Sequence, residues 1–173
     1  RIGLGSIGKG YGVDRAARVL ADLGLKNFFV NGAGDIRVAS APGAPRPWRI
    51  AVKNPFAADG RSAAMLELRS GGVATSGDYE RYFTHGGKKY HHIIDARTGR
   101  VRSDIASVTV TASTAALANA YATSVMALGP EEGAAFLERR RDASGFIISA
   151  SGEVRSCNIR TAPAERLYAA GKP

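Results

Sequence analysis

Cysteine is nearly absent from this sequence: among 173 residues there is one, Cys157. A lone cysteine excludes an internal disulfide and argues against a cysteine-ligated metal. Its surroundings, Val154 to Ile159, alternate like a terminal strand, so Cys157 is expected as a packed or edge thiol. No apolar run approaches the roughly 18 residues that a membrane-spanning helix requires. No charged-then-apolar leader is visible. The chain opens at Arg1-Ile2-Gly3 without Met and is expected to be a mature or trimmed portion of something longer. Acids are scarce beside bases, 15 against 24, giving a formal charge of +9. That balance favours anionic partners such as nucleotides, nucleic acid or an anionic surface, although a basic source proteome produces it too. A nucleic-acid module would show a basic stripe interleaved with aromatics, and none is present. The one tight basic cluster, Glu138-Arg139-Arg140-Arg141-Asp142, is flanked by acids and reads as a solvated helix end.

What is present is ordinary for a globular protein, 45% apolar and 23% charged residues, enough for one domain over 1–173. Val13, Ala16, Ala17, Leu20 and Leu23 recur at helical spacing, predicting a helix from Gly10 to Leu23 stopped by Gly24. Strands are predicted at Asn27 to Val30 and Ile36 to Ala39, around the turn-rich Asn31-Gly32-Ala33-Gly34-Asp35. No helix follows those glycines, so they are expected as a hairpin or bulge and not a Rossmann loop. After the Ala/Pro-rich loop Ser40 to Pro47, strands are expected at Trp48 to Val52 and Ala64 to Leu68. Tyr79 to Thr84 and Lys89 to Ile94 flank Gly86-Gly87 as a hairpin. Ser107 to Thr111 alternates as a strand with one buried face. The strongest helix runs from Thr114 to Leu128, ending at Gly129-Pro130, with a shorter one over Pro130 to Arg140. Strands at Phe146 to Ile148 and Glu153 to Ile159 close the chain. The pattern is α+β, a mainly antiparallel sheet with flanking helices.

Chemistry concentrates in Val73 to Phe83 and His91 to Gly99, where small, polar and acidic residues gather between glycines. Such stretches are expected as loops that hold a charged ligand on a rigid scaffold. Gly8-Lys9-Gly10 lies just before the predicted first helix, where free amides and a lysine would suit a phosphate; it lacks the spacing of a Walker loop. Asn119 and Thr123, four apart, share one helix face and offer oxygen to a hard cation; the alternative is an exposed Asn and a back-bonded Thr. His91 and His92, adjacent in a strand, point to opposite faces, so only one can enter a cleft and act as a base; either is otherwise structural. Asp78 and Asp95 stand at loop and strand ends, each able to cap or to pair.

The order of these pieces resembles the C-terminal two-thirds of the ApbE-type FAD:protein FMN transferases. The matching residues are Ser6 to Asp14, Val30 to Ile36, Ala74 to Phe83, His92 to Gly99 and the helix Ala118 to Leu128. The resemblance implies an ApbE-like fold and a Mg²⁺-dependent enzyme that splits the FAD pyrophosphate. It would transfer FMN to a threonine of a target protein, such as a redox-pump subunit, and release AMP. It further implies a lipoprotein or periplasmic protein of the bacterial cell envelope. Lys9 matches the FAD-contacting lysine of a Lys-Gly-Tyr motif that includes Tyr11. His92, just before Ile93, matches the family's base and flavin contact. A backbone oxygen at Ser6, position 119 and Thr123 match the metal site.

Two departures from that family matter most. Asn119 stands where an Asp is usual, offering an oxygen without a charge, and Gly3 replaces an FAD-contacting Asp. Ala96 replaces a usual proline, and the family's N-terminal portion has no counterpart. Three readings follow: a transferase, a flavin-binding protein without turnover, and an FAD pyrophosphatase releasing FMN and AMP.

Overall fold

A computed structural model of the chain describes residues 3–159, apart from positions 45, 58, 80, 81 and 96, together with the two-residue strand 168–169. Position 96 therefore lies outside the described residues. Helix α1 spans Gly5–Asp22, starting five residues before the predicted Gly10. Glycine costs a helix only about 1 kcal/mol, and Gly10 has a packing role that offsets it. A Cβ there would lie 2.4 Å from the carbonyl oxygen of Ala115, so its absence lets α1 touch the start of the second helix.

Strands β1 (Phe28–Gly32) and β2 (Asp35–Ala39) form the expected hairpin. Its two-residue turn holds Ala33 at φ 52° and Gly34 at φ 94°, both left-handed, as strand twist favours. Strands β3 (Trp48–Lys53) and β4 (Ser62–Leu68) pair antiparallel in a separate small sheet, completed by β11 (Tyr168–Ala169), a strand that the sequence did not suggest. Strand β5 spans Gly71–Gly77, so the first half of the stretch expected as a ligand-holding loop is a central strand. Gly72 shows why: a Cβ there would sit 2.2 Å from the amide nitrogen of Ala115, so small residues are needed where a helix end presses on the sheet.

Strands β6 (Tyr82–His85) and β7 (Lys88–His91) form the two-stranded ribbon expected around Gly86-Gly87. Strand β8 (Ile105–Ala112) is buried on both faces, not one, because it lies mid-sheet between two covering layers. Helices α2 (Ala115–Leu128) and α3 (Pro130–Glu138) follow, then β9 (Ala143–Ser149) and β10 (Val154–Cys157). The main sheet has the order β1-β2-β5-β8-β9-β10, antiparallel throughout.

Two apolar clusters cover its faces. On one, Val108, Val110 and Ile147 meet Ala118, Ala122, Val125 and Met126 of α2 and Leu137 of α3. On the other, Ile36, Val38, Val73 and Phe146 meet Ile50, Val52, Leu66 and Leu68 of the small sheet. Helices, sheet and second sheet thus stack as three layers.

The start of α2 is tied to α1. Asp14 accepts hydrogen bonds from the Ala115 and Ala116 amides at 3.0 and 2.8 Å, and Thr114 Oγ1 accepts from Leu117 N at 3.1 Å. A carboxylate at a helix N-terminus satisfies orphan donors and opposes the helix dipole.

Candidate functional site

Where the layers part, a cavity of about 1010 Å³ opens between α1, α2, the β1–β2 turn, β3 and the inner ends of β5 and β8. Small-molecule sites commonly span about 300–1,000 Å³, so this one has room for a dinucleotide-sized ligand. Its wall carries Lys9 from α1, Lys53 from β3 and the His92 imidazole and, among the described residues, no Asp or Glu. Hydroxyls and amides fill much of the rest: Ser6, Asn31, Thr75, Ser76, Asn119 and Thr123. A lining with cations, neutral donors and no carboxylate suits an anion.

Lys9 is fixed by its surroundings. It sits inside α1, not ahead of it, so the amides of Gly8-Lys9-Gly10 belong to a helix and the expected phosphate cup before a helix start is not there. What remains is the ammonium, which donates to the Ala33 carbonyl at 3.1 Å and lies 3.0 Å from Oδ1 of Asp35. Asp35 is fully buried, and burial pushes its carboxyl above the usual range against the opposing pull of Lys9. Lys53, from β3, lies 4.7 Å from the ring centroid of Tyr79, a cation–π contact.

The two histidines divide their work. Strand β7 stops at His91, so His92 follows the strand instead of alternating within it. His91 is buried: Nε2–H donates to the Arg102 carbonyl, and Nδ1 accepts from Ile93 N at 3.3 Å. His92 is exposed and lines the cavity beside buried Ile93. Asp95 holds this corner, accepting from Arg97 N at 2.8 Å and pairing with Arg102 Nη1 at 2.9 Å. The Arg97 amide first, with Arg102 adding to it, holds its carboxyl below the usual range. Asp95 therefore both caps and pairs.

Asn119 is buried and not exposed, and its Oδ1 has no hydrogen-bond partner among the described residues. Thr123 faces Ser76 Oγ at 3.4 Å, whereas its neighbour Ser124 is the back-bonded hydroxyl, donating to the Ala120 carbonyl. An orphaned amide oxygen beside two hydroxyls fits a hard cation. No cluster of three or more His, Cys, Asp or Glu suited to a metal occurs among the described residues, so a cation here would meet neutral oxygens.

Six of the seven predicted site residues, Ser6, Lys9, His92, Ile93, Asn119 and Thr123, line one cavity. Tyr11 does not: it is 60% exposed on the outer side of α1. The earlier helix start explains this, because Lys9 and Tyr11 two positions apart point some 200° apart around a helix. Gly3 is exposed with open space about its Cβ position.

The sequence profile of the ApbE family matches residues 1–155. The chain belongs to the ApbE family. It is 33% identical over 153 residues to the FAD:protein FMN transferase of Escherichia coli K12, covering 88% of this chain and 43% of that protein. Against the FAD:protein FMN transferase of Vibrio cholerae it is 40% identical over 138 residues, covering 79% and 41%. Its fold superimposes on the crystal structure of the ApbE protein of Thermotoga maritima with a TM-score of 0.83 at 34% identity, covering 91% and 52%. The apo flavinyl transferase ApbE of Pseudomonas stutzeri gives 0.72 at 32%, covering 91% and 50%. The chain thus spans about half the length of the relatives it matches.

Within this ApbE domain, sequence reasoning missed Lys53, Asp35 and the Thr75–Thr109 pair, whose hydroxyls lie 2.9 Å apart. Lys53 ends an ordinary alternating strand, and nothing local marks it. Asp35 was visible as the acid of a glycine-rich turn, but its pairing with Lys9 depends on a contact between residues 26 positions apart.

Proposed function

We propose that this domain binds FAD in the cavity and transfers its FMN portion to a threonine hydroxyl of an acceptor protein, releasing AMP. The observation that carries this reading is the anion-suited lining, with Lys9 from α1, Lys53 from β3 and, among the described residues, no carboxylate. Membership in the ApbE family supports it, since relatives bear the name FAD:protein FMN transferase.

The chain's own residues suit the steps. Transfer of a phosphorus centre from a phosphate oxygen to a hydroxyl oxygen depends mostly on positioning and charge neutralisation. Lys9, anchored by Asp35 and Ala33, would neutralise the pyrophosphate without being free to swing away. His92, exposed at the cavity wall, would accept the proton of the incoming threonine as its oxygen forms the new P–O bond; the bond to the AMP phosphate oxygen breaks. Asn119, Thr123 and Ser6 would hold Mg²⁺. When bound, the ion would withdraw negative charge from the phosphate oxygens. Because these donors are neutral, most of the charge attracting it would come from the pyrophosphate itself.

Asn119 and open Gly3 favour a second reading, flavin binding without turnover. One experiment separates the readings: incubate the chain with FAD, MgCl₂ and a threonine-bearing acceptor domain, then weigh the acceptor intact. A gain of one FMN residue is expected. Unchanged FAD with no gain supports the binding protein, and free FMN supports a pyrophosphatase.

A further inference from the structure

From His91 to Asp95 burial alternates although strand β7 has ended. His91, Ile93 and Asp95 are buried, while His92 and Ile94 are exposed at the cavity wall. Extended backbone puts successive side chains on opposite sides, so one row faces the cavity and the other faces the fold. Beyond this row the chain doubles back. Ile94 and Val101 form an antiparallel bridge, Asp95 N donates to the Arg100 carbonyl at 2.9 Å, and the Asp95 carboxylate pairs with Arg102.

His91 is the buried group in this row that the transfer steps leave unused, and it is only 7% exposed. Its ring spans two backbone groups with opposite needs. The Arg102 carbonyl can only accept, and the Ile93 amide, 3.3 Å from Nδ1, can only donate. An imidazole with a single proton, carried on Nε2, meets both. An apolar ring in the same place would leave the buried Ile93 amide unpaired. Because the ring belongs to residue 91 and the amide to residue 93, their bond closes a loop around His92 itself. The bond to Arg102 ties that loop to the returning segment.

We propose that His91 is a positioning residue for His92: its ring staples the backbone on both sides of His92 and fixes where that side chain projects from the cavity wall. The assignment rests on the reading of His92 as the base for the acceptor threonine. A base must stay within hydrogen-bond reach of the proton it takes, and a misplacement of about 1 Å can cost about a hundredfold in rate. His92 is exposed, so packing does little to hold it. The staple on its backbone does so instead.

The test compares the full natural chain with His91→Phe and His91→Asn. Phe fills the space of the ring and makes neither bond, whereas Asn offers a side-chain oxygen to the amide two residues on. Three quantities are read: hydrogen exchange of the Ile93 amide without flavin, FAD affinity by flavin fluorescence, and kcat for FMN transfer to a threonine-bearing acceptor domain. In H91F, protection of the Ile93 amide should fall about tenfold, the equivalent of one hydrogen bond. The kcat should fall about tenfold as well, with FAD affinity unchanged. H91N should regain most of both losses. Should H91F not fold, His91→Gln takes its place, since its longer amide reaches toward Arg102 and leaves the Ile93 amide unpaired. Unchanged Ile93 exchange in H91F, or H91N behaving like H91F, overturns the proposal. So does FAD affinity that falls in step with kcat, the mark of a general loosening. A natural chain that transfers no FMN, with Ile93 protection lost in H91F and regained in H91N, would keep the staple and remove the transferase reading. FMN transfer with a kcat indifferent to H91F would do the reverse.

Discussion

Lys9 and Asp35 form the most consequential pair at the residue scale, because one partner faces the cavity and the other faces no water at all. The Lys9→Ala variant should lose FAD affinity, and it should also show a stability defect with a characteristic pH dependence. Asp35 is already raised by burial, and Lys9 supplies what opposes that rise. Without Lys9 the folded carboxyl rises further, while the unfolded one still ionises near 3.8. The defect should be absent below that pH and grow as pH climbs toward the raised folded value. About 1–3 kcal/mol is expected at neutral pH, limited by the 43% exposure of the Lys9 side chain. Thermal melts from pH 4 to 8 measure it, and adding Asp35→Asn should abolish the pH dependence.

Asn119 makes a second residue-scale case. Restoring a charge with Asn119→Asp should strengthen Mg²⁺ binding. The readout is the rise in melting temperature on adding MgCl₂ without flavin, larger for the variant than for the natural chain. Equal rises would remove Asn119 from the metal site.

At the scale of elements, the decisive contact is backbone to backbone. Alanine is the better helix former, yet Gly10→Ala should destabilise the protein by about 1–3 kcal/mol or more, since its Cβ would overlap the Ala115 carbonyl. Urea unfolding checks this, and a neutral or stabilising result would show that α1 can move away. The same contact explains how legible the elements were. Helix α2, both hairpins and the terminal strands follow from periodicity and turn residues, which act locally. The start of α1 and the whole of β5 did not, because Gly5, Gly8, Gly71 and Gly72 signal loops by their own preferences. Tertiary pressure from the α2 terminus places β5 in the sheet centre and makes Gly10 an asset. Motif order marked six residues that line one cavity, while Tyr11 lies outside that lining because its direction depends on where α1 begins.

Across the whole molecule, the cavity exists only because three layers meet. Its walls come from α1 and α2, from the centre of the main sheet and from β3 of the second sheet. No single hairpin or helix carries enough of the lining to bind alone. Among the described residues, no helix is long and apolar enough to cross a membrane.

The hydrogen bonds from Ala115 and Ala116 to Asp14 bridge separations of 101 and 102 residues. Closing so long a loop carries an entropic penalty that must be met before the bonds form, and contacts of high sequence separation slow folding. The first turn of α2 should therefore be completed after the folding barrier is crossed, once the sheet has already brought the two helices together. Asp14→Ala should leave the refolding rate nearly unchanged and accelerate unfolding, which stopped-flow chevrons would resolve. Residues near the beginning of this chain then govern how long the native state lasts, and hardly at all how quickly it is reached.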